Sequence, residues 1–365
     1  MKSRVKVVLV TPHYPPYLGG IERVVQTMAK HLSLNDLNVS VITSNNGLVD
    51  TPNVHEDNIS VSYLKGFKLA HTLLIPKLFS KISKLPKGSI VHIHSAQAFT
   101  PEVAFFAARF RRLPIVIHVH SDAGLSGKLG IFLPAYKKIF LGYLLRHANR
   151  VIVLTDTYKK FVCENYKVDE KKISVIPNGV DDGFFLTKAN RIKNDPIKIL
   201  FVGRLTVEKN VPMIIEAVAK ATCSLQLDIV GDGAMLIDLM NQTKSIKNQK
   251  IIFHGQQSPE QLVEFYRQAD ALVLASDYEG QPGVIMEAMA SGTPVIGTDV
   301  TGIREIIGKD GLLVKKNALS LSLALDRIAS SPMLRKDLSA RARNRAKGFR
   351  WEPSIIKLMK IYNSL

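Results

Sequence analysis

Twelve short apolar runs, six in each half of the chain and separated by helix-like stretches, leave few folds open. In the first half they read VKVVLV, VSVIT, SIVHIH, IVIHVH, RVIVLT and ISVIP. In the second they read IKILFVG, LQLDIV, KIIFHG, ALVLAS, TPVIGT and GLLVK. Strands that are apolar on both faces, with helices between them, indicate buried parallel sheet. Right-handed crossovers wind each half into a doubly wound α/β domain of Rossmann type. A chain of 365 residues can bury two such cores. The weakest periodicity and most polar composition lie at 181–196, DDGFFLTKANRIKNDP, which reads as a linker. The expected layout is an N-terminal domain over 1–182, a C-terminal domain over 195–345, and a final helix over 346–365. Trp351, Ile355, Leu358, Met359 and Tyr362 make an apolar stripe on that helix, which must dock on something. A cleft between the two domains would receive ligands at the carboxyl ends of their strands.

Charge narrows the partners. The formal net charge is +18, unevenly spread. No acidic residue falls between 58 and 101, where Lys65, Lys68, Lys77, Lys81, Lys84 and Lys87 stand, followed by Arg109, Arg111 and Arg112. A second cluster holds Arg335, Lys336, Arg341, Arg343, Arg345, Lys347 and Arg350. Such fields attract nucleic acid or anionic lipid, or serve solubility alone. The basic stretches lack the interleaved aromatics of a base-stacking surface, which disfavours nucleic acid. From Leu64 to Leu85 apolar residues and lysines interleave, as in a helix lying on an anionic bilayer. Cys163 and Cys223 fit no metal-ligand spacing and read as buried thiols of a reducing compartment. RVKVVLV is too short for a signal segment, and no run approaches the roughly 18 apolar residues of a membrane span. The expectation is a cytoplasmic protein, soluble or peripheral on the inner membrane face.

Candidate chemistry sits where strands end. The stretch 275–299, ASDYEGQPGVIMEAMASGTPVIGTD, reads as strand, glycine-bearing turn, helix and strand, with Glu279 in the turn and Glu287 on the helix. Pro282 is expected in the first helical turn, and Gly292 just past the helix end. A helix opening from such a turn is a ready phosphate site. Carboxylates beside it would repel phosphate, so sugar hydroxyls are their natural ligands. Gly19 and Gly20 precede a helix and allow close backbone approach to phosphate or sugar. His118 and His120 alternate at a strand end, one expected to face the cleft and the other the core. Arg204 and Lys209, in FVGRLTVEKN, make a phosphate clamp. VGDG at 230–233 reads as a structural turn whose Asp232 caps the next helix. There is no complete dinucleotide fingerprint, P-loop, metal-ligand cluster or Asp-x-Asp pair. A bound diphosphate would therefore be neutralised by protein cations and helix dipoles, with no metal cofactor.

Together these residues resemble the retaining GT-B glycosyltransferases of family four, the "group 1" transferases. The likeness covers nearly the whole chain. It runs through PPYLGGIE, PIVIHVHSD, VIPNGVD, GRLTVEKN, the E-x7-E pair followed by AMASGTPVI, and the FRWE tail. The resemblance implies two Rossmann-like domains facing a cleft, with the last helix crossing back onto the first domain. It assigns Arg204 and Lys209 to the nucleotide-sugar diphosphate, Glu279 to the transferred hexose and Glu287 to the ribose. Amides around Gly283 and Val284 would meet sugar and phosphate, and Gly20, beside Gly19, would approach the diphosphate from the other domain. His120 would lie near the anomeric centre, making His120, Arg204, Lys209 and Glu279 the catalytic set. The implied activity is hexose transfer from a nucleoside diphosphate sugar to a lipid-linked or cell-envelope glycan precursor. One departure stands out: Gln281-Pro282 occupies the place of an aromatic-glycine pair common in the family, and proline has no amide to donate. A nucleotide-sugar epimerase or another GT-B enzyme shares the layout, and a basic nucleic-acid-binding protein is the reading from charge alone.

Overall fold

The computed structural model describes residues 6–17, 19–48, 55–56, 59–69, 72–95, 97–120, 137–185 and 196–365. The chain divides into two compact units, one of residues 1–179 with 351–365 and the other of 180–350.

The first unit is built on an eight-stranded sheet. Its strands are β1 (Lys6–Val10), β2 (Asn38–Ser44), β3 (His55–Glu56), β4 (Ile59–Leu64), β7 (Ile90–Ser95), β8 (Ile115–Val119), β9 (Arg150–Val153) and β10 (Ile173–Val175). They are ordered β10-β9-β8-β7-β1-β2-β4-β3, and only the edge strand β3 runs antiparallel to its neighbour. Successive residues supply opposite layers. Val8, Val10, Ile93 and Ile117 pack on one face with Phe105 and Ala108. Val7, Leu9, Val41 and Val116 pack on the other with Met28 and Leu32 of the helix Gly20–Leu34. Each fully buried aliphatic side chain contributes about 1.5–3 kcal/mol, which favours strands buried on both faces.

The C-terminal helix, Trp351–Asn363, belongs to this unit, and its apolar stripe is packed. Trp351, Ile355, Leu358 and Tyr362 are buried in the second of those layers and Met359 lies against it. Ser354 Oγ donates to the Pro177 carbonyl at 2.7 Å.

The second unit holds β11 (Ile197–Val202), β12 (Leu225–Val230), β13 (Lys250–Gly255), β14 (Ala271–Leu274), β15 (Val295–Thr298) and β16 (Leu312–Val314). Its order is β13-β12-β11-β14-β15-β16, parallel throughout. All twelve apolar runs are thus strands.

Two expectations, on the 64–85 stretch and on the cysteines, differ from the structure. Leu64–Leu85 is not a helix. It closes β4, forms an antiparallel hairpin of β5 (Phe67–Leu69) and β6 (Thr72–Leu74), and ends in the six-residue helix Leu78–Ser83. Gly66 and Pro76 interrupt any continuous helical ladder. Cys163 and Cys223 are free but only half-buried. Of the expected linker, Asp182–Phe185 forms a 3-10 turn whose Phe184 is buried against Tyr266 in the second core. Residues 186–195 lie outside the described residues.

The second basic cluster is largely consumed by the fold. Arg335 donates to the carbonyls of Ile328 and Ala329, Arg345 to those of Glu305 and Ile306, and Arg341 pairs with Asp337. Arg350 pairs with Asp182 and lies over the Phe185 ring. Among the described residues no helix is long and apolar enough to cross a membrane.

Candidate active site

The second sheet reverses its winding between β11 and β14. A crevice opens outside the carboxyl ends of strands at such a switch point. The turn after β11 carries Gly203, Arg204 and Lys209, and the segment after β14 carries Ser276 through Pro282. The topology therefore brings both charged motifs to one place, although they lie 70 residues apart.

Lys209 Nζ donates to Glu279 Oε1 at 2.6 Å, and both side chains are largely enclosed, at 19% and 12% exposure. Ser276 Oγ donates to the same carboxylate oxygen at 2.6 Å. The Ser276 carbonyl accepts from Thr298 Oγ1 at 2.9 Å, and the Asp277 amide donates to the Glu208 carbonyl at 2.9 Å. The carboxylate is thus held from two sides, while the segment carrying it is tied to β15 and to the Lys209 turn. Arg204 is exposed at the mouth of that turn.

The VGDG turn supports the arrangement in an unexpected way. Gly231 has φ +137°, and a Cβ there would stand 1.9 Å from the Gly203 carbonyl oxygen, so the two turns press together as only glycine allows. The Leu205 amide donates to the Asp232 carbonyl at 2.9 Å. Asp232 does not cap the next helix: its carboxylate accepts from the Gly233 amide, and that helix begins at Leu236 without a side-chain cap.

The helix after the glutamate turn runs Gly283–Ala290, with Pro282 as its N-cap, one position earlier than expected. Pro282 offers no side-chain cap, so the first amides, Gly283 and Val284 among them, lack intrahelical partners. That end of the helix favours an anion. Gly283 is exposed, and a Cβ there would meet nothing within 4 Å. Glu287, one turn on, accepts from Tyr266 Oη at 2.9 Å through Oε2. Gly292 then ends the helix at φ +72°.

Sequence reasoning missed three residues here: Ser276, Tyr266 and Gly302. Ser276 directly follows an apolar strand, three places before Glu279, which is a readable signal for a polar group at a strand mouth. Tyr266 and Gly302 reach the glutamates only through the fold.

In the first unit the winding reverses between β1 and β7. Gly19 and Gly20 follow β1, and Gly20 opens a 15-residue helix without a side-chain cap. His120 follows β8, which lies beyond β7 from β1. His118 and His120 do not face opposite ways. Residues two apart on a strand share a face, and their rings stack at 4.4 Å. With His92 and His94 of β7 they form a buried array of four imidazoles. His94 Nδ1 is 2.8 Å from His120 Nε2, and His92 Nδ1 is hydrogen-bonded to Tyr362 Oη at 2.5 Å. His120 is the most exposed of the four, at 6%.

His92, His94 and His118 have ring nitrogens within 4.8 Å of one another, as ligands of one ion would. Their planes argue against that use. A metal lies in the plane of each imidazole it binds, whereas these rings stack at interplanar angles of 6°, 24° and 29°.

Burial holds all four imidazoles neutral. It lowers His92 to about 3 and His120 to about 4, and carries His94 and His118 well below the ordinary value; neighbouring histidines add to this for all but His120. Below pH ~6.5 the unfolded chain therefore binds protons that the folded chain refuses. This contribution to stability is complete above pH ~6.5 and is lost as pH falls, at about 1.4 kcal/mol per pH unit for each histidine. Both ring nitrogens of His118 are buried and have no hydrogen-bond partner among the described residues. His118→Leu should therefore raise or preserve the melting temperature at pH 7.5 and flatten its fall towards pH 5. An unchanged acid slope by calorimetry would rule out this origin.

Two Rossmann-like units, with a last helix returning to the first, define a protein of the GT-B class. Residues 18–184 match the family described as Glycosyltransferase Family 4, and residues 184–345 the one described as Glycosyl transferases group 1. The chain belongs to this glycosyltransferase family. It is 30% identical to an uncharacterised glycosyltransferase of Methanocaldococcus jannaschii, over 89% of each chain. It is 28% identical to the UDP-Gal:alpha-D-GlcNAc-diphosphoundecaprenol alpha-1,3-galactosyltransferase of Escherichia coli, over 99% of this chain and 97% of that one. Among solved structures, sucrose-phosphate synthase from Thermosynechococcus elongatus shares the fold with a TM-score of 0.82, at 22% identity over 99% of each chain.

Proposed function

We propose that the protein moves a hexose from a nucleoside diphosphate sugar to a lipid-linked glycan precursor at the inner membrane face, with retention of anomeric configuration. The observation that carries the reading is the Lys209–Glu279 pair, set at a switch point beside an uncapped helix N-terminus. A cation, a sugar-binding carboxylate and free amides are what a sugar diphosphate requires. The bond from the anomeric carbon to the phosphate oxygen breaks, and its electron pair leaves with the diphosphate. The acceptor hydroxyl oxygen bonds to that carbon, and its proton passes to a phosphate oxygen of the departing diphosphate. Arg204, Lys209 and the amides of Gly283 and Val284 stabilise the charge gained by the leaving group, usually the largest catalytic contribution. Glu279 grips hexose hydroxyls and aims Lys209, and Glu287 takes the ribose; the family resemblance assigns His120 to the anomeric centre and Gly19 and Gly20 to the diphosphate.

The Escherichia coli relative, named for UDP-Gal and a diphosphoundecaprenol acceptor, supports this donor type and acceptor carrier. A hydrolase reading of the two glutamates would leave the cations without a task. An epimerase would convert the donor with no acceptor present.

A thermal-shift panel of UDP-, GDP- and ADP-sugars tests the donor. The true donor at a hundredfold excess over its Kd should add about 2.7 kcal/mol of stability. No shift with any nucleotide sugar would sink the reading. Conversion of a stabilising donor to its epimer without acceptor would favour the rival.

A further inference from the structure

We infer that the hairpin β5–β6, the helices Leu78–Ser83 and Thr100–Phe110, and the segment from Ile139 to Tyr143 form one face by which the first unit sits on an anionic lipid bilayer. The inference deepens the membrane-face reading above but stands on different observations.

Exposed large apolar side chains gather on these elements. Phe110 is 73% exposed, Leu69 65%, Ile139 62% and Phe67 50%, with Phe79 and Phe106 close behind. The two helices and the segment are joined: the Phe79 and Phe110 rings lie 6.0 Å apart, and Phe106 stacks with Tyr143 at 6.3 Å; the hairpin directly precedes the short helix in the chain. Buried Leu73 anchors the hairpin, and buried Leu78 and Ile82 anchor the short helix, so the exposed residues are presented by a fixed frame. Isolated exposed apolar residues are ordinary, whereas a joined set of this size marks an interaction surface.

Charge decides the partner. Between residues 59 and 120, and again from 137 to 150, the sequence holds a single acid, the half-buried Glu102. Lys65, Lys68, Lys77, Lys81, Lys84 and Arg109 are all exposed there. Lysine is depleted at the core of protein interfaces, and two copies of so basic a face would repel each other. Phenylalanine and leucine interleaved with lysine match the headgroup boundary, where apolar rings enter the acyl edge and ammonium groups meet anionic headgroups. The contrast with the second basic cluster is instructive, since its arginines are spent on carbonyls and acids of their own unit.

Flotation of the purified full chain with vesicles tests the inference. Vesicles of phosphatidylcholine with 30 mol% phosphatidylglycerol should carry it up the gradient, whereas pure phosphatidylcholine or 1 M salt should leave it at the bottom. Each lysine near the surface adds about fivefold to partitioning, so K77E/K81E should cut binding by at least about 25-fold. F79S/F110S should abolish it without lowering the melting temperature, since both rings are exposed. K244E/K247E, on exposed lysines of the second unit, should float like the parent. Failure of the parent to float on anionic vesicles would overturn the inference. So would equal flotation of F79S/F110S. A dimer-to-monomer change in F79S/F110S, without vesicle binding by the parent, would reassign the face to a second copy of the chain. No donor or acceptor enters the assay. A parent that floats yet transfers no sugar to a lipid-linked acceptor refutes the activity alone.

Discussion

Lys209→Met lowers sugar transfer by about 10²–10³-fold, the loss typical of removing one preorganised donor from a developing anion. Methionine keeps the unbranched stem and deletes only the ammonium, so packing around the turn survives. The Lys209 ammonium bonds Glu279 at 2.6 Å, and Ser276 Oγ still reaches that carboxylate in the variant. Thermal stability should therefore fall modestly while kcat falls steeply. Glu279→Gln separates the two duties of the pair. It retains a group that can accept from Ser276 but weakens the aim of the ammonium and the proposed grip on the donor sugar. Its expected signature is reduced turnover with near-normal affinity for the free nucleoside diphosphate. Steady-state release of nucleotide, measured beside melting curves, distinguishes these outcomes. A K209M protein with a lowered melting temperature and ordinary turnover would make the pair purely structural.

That pair also marks the limit of what the sequence discloses. Both residues are legible as unusual groups behind apolar strands, because a parallel strand buried on both faces announces its own carboxyl end. Their contact is not legible, since it depends on β11 and β14 lying side by side with two strands and their helices intervening in the chain. For the same reason the twelve apolar runs can be read from composition, while β4, ISVSYL, with only Ile59 buried, carries a weaker signal. The strand period bears on the two histidines: positions two apart on β8 share a face, and register with β7 then stacks His118 beside His94. Local composition misleads most on charge. Two clusters of similar basicity have opposite uses, one spent within its unit and the other turned outward on a hairpin that Gly66 and Pro76 divide from any long helix.

Gly302→Ala carries the strongest test of how Glu279 is held. Gly302 lies in the first turn of the helix Thr301–Ile307 and is buried. A Cβ there would stand 2.2 Å from the Glu279 carbonyl oxygen and 2.8 Å from that of Gly280. The backbone at 302 is helical, and alanine is favoured over glycine in a helix by about 1 kcal/mol, so conformational strain is not at issue. The conflict is between a methyl group and a main chain. Helix Thr301–Ile307 is fixed by buried Ile303, Ile306 and Ile307, so the turn bearing Glu279 must yield. A shift of about 1 Å at a positioning group costs roughly 10²-fold in rate. Transfer should therefore drop by that order. Glu287, held separately by Tyr266, leaves nucleotide affinity little changed. Calorimetric titration with the nucleoside diphosphate, set against kcat/KM for transfer, measures both quantities on one protein. Full activity in G302A would mean the turn relaxes without moving its carboxylate. Equal losses in affinity and rate would mean the two glutamates respond as one body.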